Sequence, residues 1–551
     1  MIIEFFSLLA LFISVTGWGL WIEKFFSIRI NSVSLTVILG LALLSAISCS
    51  LSFFIPLNTP VELTLLLLSV IPYFSKSIRK NYLATFPGDI FTSGWFWCFF
   101  LILLLAGSYY SFRPDHFWYY VPTLNWLNKY GLITGVANID WVLGQMSSLH
   151  ILQAGLDEIL DPFQRINIFI TVIYLIYIFE KKSYLLLCFI PFYFLFIQTP
   201  SPDLPVVFFS LIVVNEICFN RQNYNLKILF IISAFVFTVK PVAFWLLLWI
   251  FIVETCLNRK KQGYMKAYIF SFLLVFLFFS KNYIASSMLV FPITSTQLDT
   301  YWSTDSRILE ISNLSASYYT FDRHFKLEEI NSLSFFQRLY YWLTTKDLQT
   351  IINIFTVVIV WIFGIFAFLK RKFIYIVLWI VILLKFFLIF SFSGQYRFML
   401  DGIYPLLFIL LRQLKINSSK LLFPISGFYL VSLFFISYPK FIKLLLPDFE
   451  LTRMMKGFTK NALLRPENYV LEKYKTGKLG NLNFNISTDY PFNFDTPAPA
   501  FEPEKLKLYY RLNIFPQMKE PSHIHKGFYM KSLSPKEREK LRNIIEQLKD
   551  N

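Results

Sequence analysis

Apolar runs recur from residue 2 to residue 438, with short basic clusters after every second run and two longer connections among them, and this recurrence leaves the chain few folds to choose from. A helix that crosses a bilayer needs about 20 largely apolar residues. Fourteen candidate runs lie near 2–22, 33–55, 61–78, 90–110, 163–179, 183–198, 203–219, 226–239, 241–257, 264–281, 348–369, 373–392, 398–412 and 420–438. Composition points the same way: 56% of the 551 residues are hydrophobic and only 15% are charged, against about 25% charged in soluble globular chains. So few polar residues cannot cover a water-soluble body of this size. A soluble enzyme, a disordered or fibrous chain and a nucleic-acid-binding protein are excluded together.

The formal net charge of +17 is explained by where the basic residues fall. Lys24/Arg29, Arg79/Lys80, Lys181/Lys182, Arg221/Lys227, Arg259/Lys260/Lys261, Lys370/Arg371/Lys372 and Arg412/Lys415/Lys420 follow every second run. This is the pattern of short cytoplasmic loops rich in Lys and Arg. It places the N-terminus outside, with two long outward connections, 111–162 and 282–347, and a tail from about 440 on the same side. The first run lacks a basic leader and a small-residue cleavage site, so it reads as a retained span. Cys49, Cys98, Cys188, Cys218 and Cys256 lie in or at the ends of apolar runs, which argues against a disulfide scaffold or a thiolate metal site.

The first outer connection carries its own pattern. Phe117, Tyr120, Val121, Leu124 and Leu127 recur at helical spacing up to Gly131, and Leu143, Met146, Leu149, Leu152 and Leu156 do so again. Two amphipathic helices lying in the membrane interface are predicted, with a tight turn at Gly135-Val136-Ala137-Asn138 between them. In the tail, residues 479–522 are rich in Asn, Pro and aromatics and predict an extended segment along the surface. Ser534-Pro535-Lys536-Glu537 predicts the start of a short polar helix. The expected fold class is all-α: a polytopic transmembrane helix bundle with added helices over 1–89, a core over 90–440 and an extracytoplasmic tail over 441–551.

Ionisable groups at the outer boundary are costly there and are the candidates for chemistry. Asp115, in Arg113-Pro114-Asp115-His116, precedes the first interfacial helix; it could cap that helix or act as a general base on a hydroxyl. Asp203, in Thr199-Pro200-Ser201-Pro202-Asp203, carries the same two readings. Two carboxylates beside one cavity could share work on a hydroxyl or hold a divalent metal; no other cofactor is implied. Lys240, Lys281 and Arg397 have the charge a lipid phosphate needs, or they snorkel to headgroups. Lys385 interrupts the run Ile380 to Phe390 and must find an anionic partner in the bundle interior, a lipid phosphate among the candidates. His523 and His525 form a weak metal pair, and Asn313-Leu314-Ser315 and Asn485-Ile486-Ser487 match a short glycosylation pattern. The sequence has neither a Walker A loop nor a Rossmann glycine fingerprint, so any sugar donor arrives on a lipid.

The order of these features resembles the GT-C superfamily of polyprenyl-phosphate-dependent glycosyltransferases. More closely, the chain is similar to an uncharacterised group of bacterial multi-pass membrane proteins found near surface-polysaccharide genes. The matching stretches are Asp115 with Tyr119-Tyr120-Val121-Pro122, Gly135-Val136-Ala137-Asn138 with Ser147-Ser148, Pro202-Asp203-Leu204-Pro205, Lys281-Asn282-Tyr283 through Phe291-Pro292, and Tyr396-Arg397-Phe398. They cover roughly residues 90 to 410. Val142 and Met146 stand where that group tends to have Arg and Asn.

The resemblance implies an outward-facing site in the bacterial cytoplasmic membrane and an inverting transfer. Asp115 would be the base and Asp203 the second carboxylate, while Lys240, Lys281 and Arg397 would contact phosphate. His116, Tyr119, Asn138 and Asn282 become further substrate contacts. The implied partners are a polyprenyl-phosphate-linked sugar, a glycan, lipid or protein acceptor and membrane lipids, with no nucleic acid. A lipid-linked oligosaccharide flippase, a polysaccharide polymerase and a non-catalytic scaffold are the competing readings; a transporter would be expected to show paired repeats and broken midplane helices, and no convincing repeat is present.

Overall fold

Runs of Leu, Ile, Val and Phe with few breakers satisfy their backbone polar groups internally by winding into helices. The computed structural model describes residues 1–551 apart from 27–29, 87, 221–224, 258–264, 322–324, 326, 346–347, 415–417, 446–455 and 549–551. Arg29, Arg221, Arg259, Lys260, Lys261 and Lys415 of the basic clusters lie outside the described residues. Helices α1 (Ile2–Phe26), α2 (Val33–Ser52), α3 (Thr59–Val70) and α4 (Gly94–Gly107) lead to α5 (Val121–Tyr130) and α6 (Ser148–Ala154) in the first long connection. Next come α7 (Ile166–Glu180), α8 (Asp203–Phe219), α9 (Leu226–Val239), α10 (Phe244–Leu257) and α11 (Met265–Ser286). The second long connection holds α12 (Ser306–Thr320) and α13 (Phe335–Trp342), and α14 (Leu348–Lys370), α15 (Phe373–Phe392), α16 (Leu400–Arg412) and α17 (Leu422–Ser437) complete the bundle.

Among the described residues, six helices are long and apolar enough to cross a membrane: α1, α2, α11, α14, α15 and the stretch Ser419–Ser437 that contains α17. Shorter apolar helices, among them α4, α7 and α9, accompany them. This is the build of a multi-pass membrane protein. Large apolar side chains point outward from α14, α15 and α17, with Trp361 67%, Phe387 58% and Phe423 77% exposed, as a lipid-facing surface requires. In contrast α2 is buried nearly throughout and packs on α1, α6, α7, α9 and α11, so the N-terminal helices are built into the bundle. The α1–α2 crossing depends on glycine: a Cβ at Gly40 would lie 2.0 Å from the Val15 carbonyl oxygen, and one at Gly19 2.0 Å from that of Thr36. Small residues allow this approach.

In the first long connection α5 stops at Gly131 as expected, with φ +72. The second stretch begins later than predicted, because Ser147 caps a short α6 in a capping box with His150 and residues 141–145 form a separate tight turn. Neither helix lies in the interface with an open polar face. Phe117 and Val121 pack against Phe494 of the tail, and α6 is buried throughout and packs on α2, so the expected open polar faces are covered, that of α5 by the tail and that of α6 within the bundle.

The described chain is mostly helical, as expected, and the tail departs from the all-α expectation by adding a few short strands. Residues 479–522 are folded and not merely extended, since Leu482, Phe484, Ile486, Phe501, Tyr509 and Phe515 are buried together. Strands β1 (Tyr474–Leu479) and β2 (Leu482–Ser487) form a hairpin in the register Leu479 to Leu482, and β3 (Ala500–Phe501) adds in parallel to β2. Then α18 (Pro503–Leu512) leads to the antiparallel pair β4 (Ile514–Met518) and β5 (Phe528–Ser532), and α19 (Pro535–Glu546) closes the tail. The predicted helix start is present: Ser534 Oγ accepts the Glu537 N–H and Glu537 accepts the Ser534 N–H at 2.9 Å.

Hydrogen bonds show which parts share an end of the bundle. The N-terminal ammonium donates to the Ala462 carbonyl at 2.7 Å, Phe528 N–H to Thr134 at 2.9 Å and Arg307 to Leu512 at 2.8 Å. The N-terminus, both long connections and the tail thus meet at one end. At the opposite end Glu180 caps the start of α2 through the Val33 N–H at 3.0 Å and the Ser34 hydroxyl at 2.6 Å.

Candidate functional site

At the tail end of the bundle the chain leaves α4 and passes through Arg113-Pro114-Asp115 into a widened helical turn, His116–Tyr120, before α5. Asp115 makes no capping hydrogen bond there. Its carboxylate instead faces two guanidinium groups, Arg113 and Arg397, each at 3.3 Å. Asp203 sits in the first turn of α8, where a negative charge suits the helix dipole, and its side chain pairs with Lys240 at the start of the α9–α10 turn. Helix capping is thus not what occupies either carboxylate.

One set of neighbours joins the two. Tyr120 donates to Ser201 Oγ at 3.3 Å, and Ser201 Oγ accepts the Asp203 N–H at 3.4 Å. Burial and then both carboxylates raise the Tyr120 hydroxyl above the ordinary tyrosine value. Burial opposes the charge on Arg397, but Asp115 and Asp203 more than offset it and raise its pKa above that of an ordinary arginine. Gln395 orients Arg397 by accepting from Nε at 3.0 Å. The ring of Phe398 lies under both cations, 5.0 Å from the Arg397 guanidinium and 4.4 Å from Lys240 Nζ. Arg113, Lys240 and Arg397 therefore outnumber Asp115 and Asp203 by one positive charge, and Arg397 remains 31% exposed.

A second ion pair lies deeper. Lys385 pairs with Asp401 in the first turn of α16, both almost fully buried, and Trp245 Nε1 donates to the other Asp401 oxygen at 2.8 Å. The anionic partner demanded of Lys385 is thus a protein carboxylate, which takes Lys385 out of the candidate phosphate contacts. Asn138 is also engaged in structure: its side-chain N–H donates to the Trp302 carbonyl at 2.9 Å and its backbone carbonyl accepts from the Tyr509 hydroxyl at 3.1 Å, joining both long connections to the tail. Lys281 donates to the Met146 carbonyl at 2.5 Å and to Asn282 at 2.6 Å, and Asn282 donates to Leu289 at 2.8 Å. These two fasten α11 to its loops and do not join the Asp115 cluster. His116 is buried against Phe117 and Phe494; burial, reinforced by Arg165, pushes its pKa down to about 3, so the imidazole is neutral. Tyr119 stays at the cluster, half-buried with its ring 4.5 Å from Tyr120.

Sequence reasoning assigned no role to Arg113, Tyr120, Ser201 or Asp401. Arg113 was in view within the Asp115 motif, and Asp401 is a lone carboxylate in an apolar run, the natural complement of Lys385. Among the described residues no three His, Cys, Asp or Glu side chains converge on one metal position. The donor set does not fit a divalent ion, because each carboxylate is already faced by a cation.

The family model described as "Domain of unknown function (DUF8201)" matches residues 1–404, which takes in the N-terminal helices and every residue of the charged cluster. No curated protein and no solved structure matches the chain.

Proposed function

The chain belongs to the DUF8201 family, and we propose that it is a membrane glycosyltransferase of GT-C type, moving a sugar from a polyprenyl-phosphate donor to a surface acceptor. The observation that carries this reading is the pair Asp115 and Asp203 in one cluster with three cations, partly open and net positive. Such a site suits a substrate that brings its own negative charge beside a hydroxyl to be activated. In this reading the chain makes fourteen passes through the bacterial cytoplasmic membrane, with the cluster and the tail on the outer face.

Asp115 takes the proton from the acceptor hydroxyl, whose oxygen bonds to the anomeric carbon from the face opposite the phosphate. The carbon–oxygen bond to the lipid phosphate breaks, and its electron pair leaves with the phosphate. In this reading Arg397 and Arg113 supply the leaving group with planar, multidentate donors as its charge grows. Asp203 holds Lys240 in place as a positioning group.

Expression of Asp115→Asn and Asp203→Asn in a strain lacking the native copy tests the proposal. Asp115→Asn is expected to lower modification of the surface glycan by about a hundredfold or more, with the lipid-linked donor accumulating. Unchanged glycan at normal protein levels in both variants would remove the catalytic reading.

A further inference from the structure

The second long connection, whose helix α12 is hydrogen-bonded to the segment carrying Arg397, forms an open groove. Thr294, Ser306, Glu310, Asn313, Ser317 and Arg338 line a cavity of about 290 Å³ between α12 and α13, at the lower edge of the roughly 300–1,000 Å³ of small-molecule sites. Six of its seven lining residues carry polar or charged groups, set in a wall to which their own carbon atoms also contribute, the mix of apolar surface and a few placed polar groups usual in such sites. Hydroxyl and amide groups that both donate and accept match a ligand rich in hydroxyls. Arg338 is set in the wall by its own bonds to the Leu333 and Ile330 carbonyls at 3.2 and 3.1 Å.

The two walls connect the groove to different places. Helix α13 is amphipathic: Phe335 packs on Phe387 and Phe390 at the tail end of α15, at 5.8 and 5.4 Å, while Phe336 and Tyr340 remain 79% and 63% exposed. Aromatics shown to the outside of a short helix, beside a helix long and apolar enough to cross a membrane, suit contact with lipid headgroups. The other wall, α12, is tied to the charged cluster. Its Ala316 carbonyl accepts from Ser393 at 3.2 Å and from Gln395 at 3.4 Å, and Gln395 is the residue that orients Arg397. Ser317 and Asn313 therefore lie within about one helical turn of the segment that presents Arg397.

We propose that this groove receives the acceptor, the hydroxyl-rich head of a membrane-borne lipid, and delivers it to Asp115. This rests on the transferase reading and names where its second substrate binds. Phe336 and Tyr340 hold the groove at the bilayer surface, so that the head enters while its apolar chain stays in lipid.

The test compares three sets of variants at equal protein levels: Asp115→Asn, the groove-filling Ser317→Trp and Asn313→Leu, and Phe336→Ser with Tyr340→Ser. Groove filling is expected to lower surface-glycan modification about tenfold or more, and loss of the two aromatics to lower it as well. If Asp115→Asn abolishes modification while filled grooves work normally, the groove assignment is overturned and the transferase reading stands. If filling abolishes it and the aromatic variants do not, the acceptor comes from water and not from lipid, which also overturns the proposal. If Asp115→Asn leaves the glycan intact, both readings fall. Should Ser317→Trp not accumulate, Ser317→Ala and Asn313→Ala remove the hydrogen-bonding groups without added bulk and are read in the same way.

Discussion

Asp115 and Asp401 are both carboxylates facing cations, yet their surroundings give them opposite uses. Asp401 is sealed with Lys385 and Trp245, all of them almost fully buried, so its pair serves the bundle. Removing one partner leaves the other charged and buried, which costs about 3–5 kcal/mol. Lys385→Met is accordingly expected to lower the thermal stability of the detergent-solubilised protein sharply. Lys385→Met combined with Asp401→Leu should recover most of that loss, and a double variant no more stable than the single one would show that the pair is not the cause. Asp115 is partly open and its two arginines are also partly exposed, so its loss should leave stability nearly unchanged. Arg397→Lys keeps the charge but loses the planar fork that meets Asp115 and is oriented by Gln395. On the proposed transferase reading it is expected to cut modification of the surface glycan by about tenfold or more, with normal protein levels on immunoblot; full activity in this variant would reduce Arg397 to a simple point charge.

The elements legible in the sequence are those specified by local chemistry. Apolar runs gave the helices, Gly131 the end of α5, and Ser534 with Glu537 the start of α19. Long-range partners were not legible, because no local signal records them. The strands of the tail are too short for periodicity to announce: β3 has two residues. The helices of the first connection have the apolar stripe of an interfacial helix, and only their distant partners, the tail for α5 and α2 for α6, show that the other face is covered as well. The site divides in the same manner: Asp115, Asp203, Lys240 and Arg397 were visible as charges at the boundary, whereas the structural commitments of Asn138, Lys281 and Asn282 depend on partners far away in the chain. Gly135 is where the two kinds of information meet. Its φ of +66 belongs to a tight turn, and a Cβ there would lie 2.3 Å from the Phe528 carbonyl oxygen. Gly135→Ala is therefore expected to strain the turn and push β5 off the first connection, seen as faster cleavage of the tail by added protease; unchanged cleavage would mean that the junction yields without cost.

At the scale of the whole molecule the question is how firmly the tail is held on the bundle, and one buried group makes that pH-dependent. Glu502, at the N-cap of α18, is an electrostatic neighbour of Asp140 of the first connection and Lys505 of its own helix, which pair with each other at 2.7 Å, and its Oε1 has no hydrogen-bond partner. Burial and then Asp140 raise its pKa, partly opposed by Lys505 and the Asn493 N–H, to about 8 from an ordinary 4.5. Between those values the folded state holds a proton that the unfolded chain has released. Stability with respect to this group is therefore full below about pH 4.5 and falls as pH rises towards 8. The tail should resist protease better at pH 6 than at pH 8, and its unfolding temperature should fall over the same interval. Glu502→Gln keeps the shape and cannot ionise, so its stability should vary less with pH and exceed that of the native chain at pH 8. Equal pH slopes for the two proteins would assign the dependence to another group. Because the tail also packs on Phe117, two residues beyond Asp115, the proposed transferase reading predicts that the Glu502→Gln variant retains more surface-glycan modification in cells held at pH 8 than the native chain.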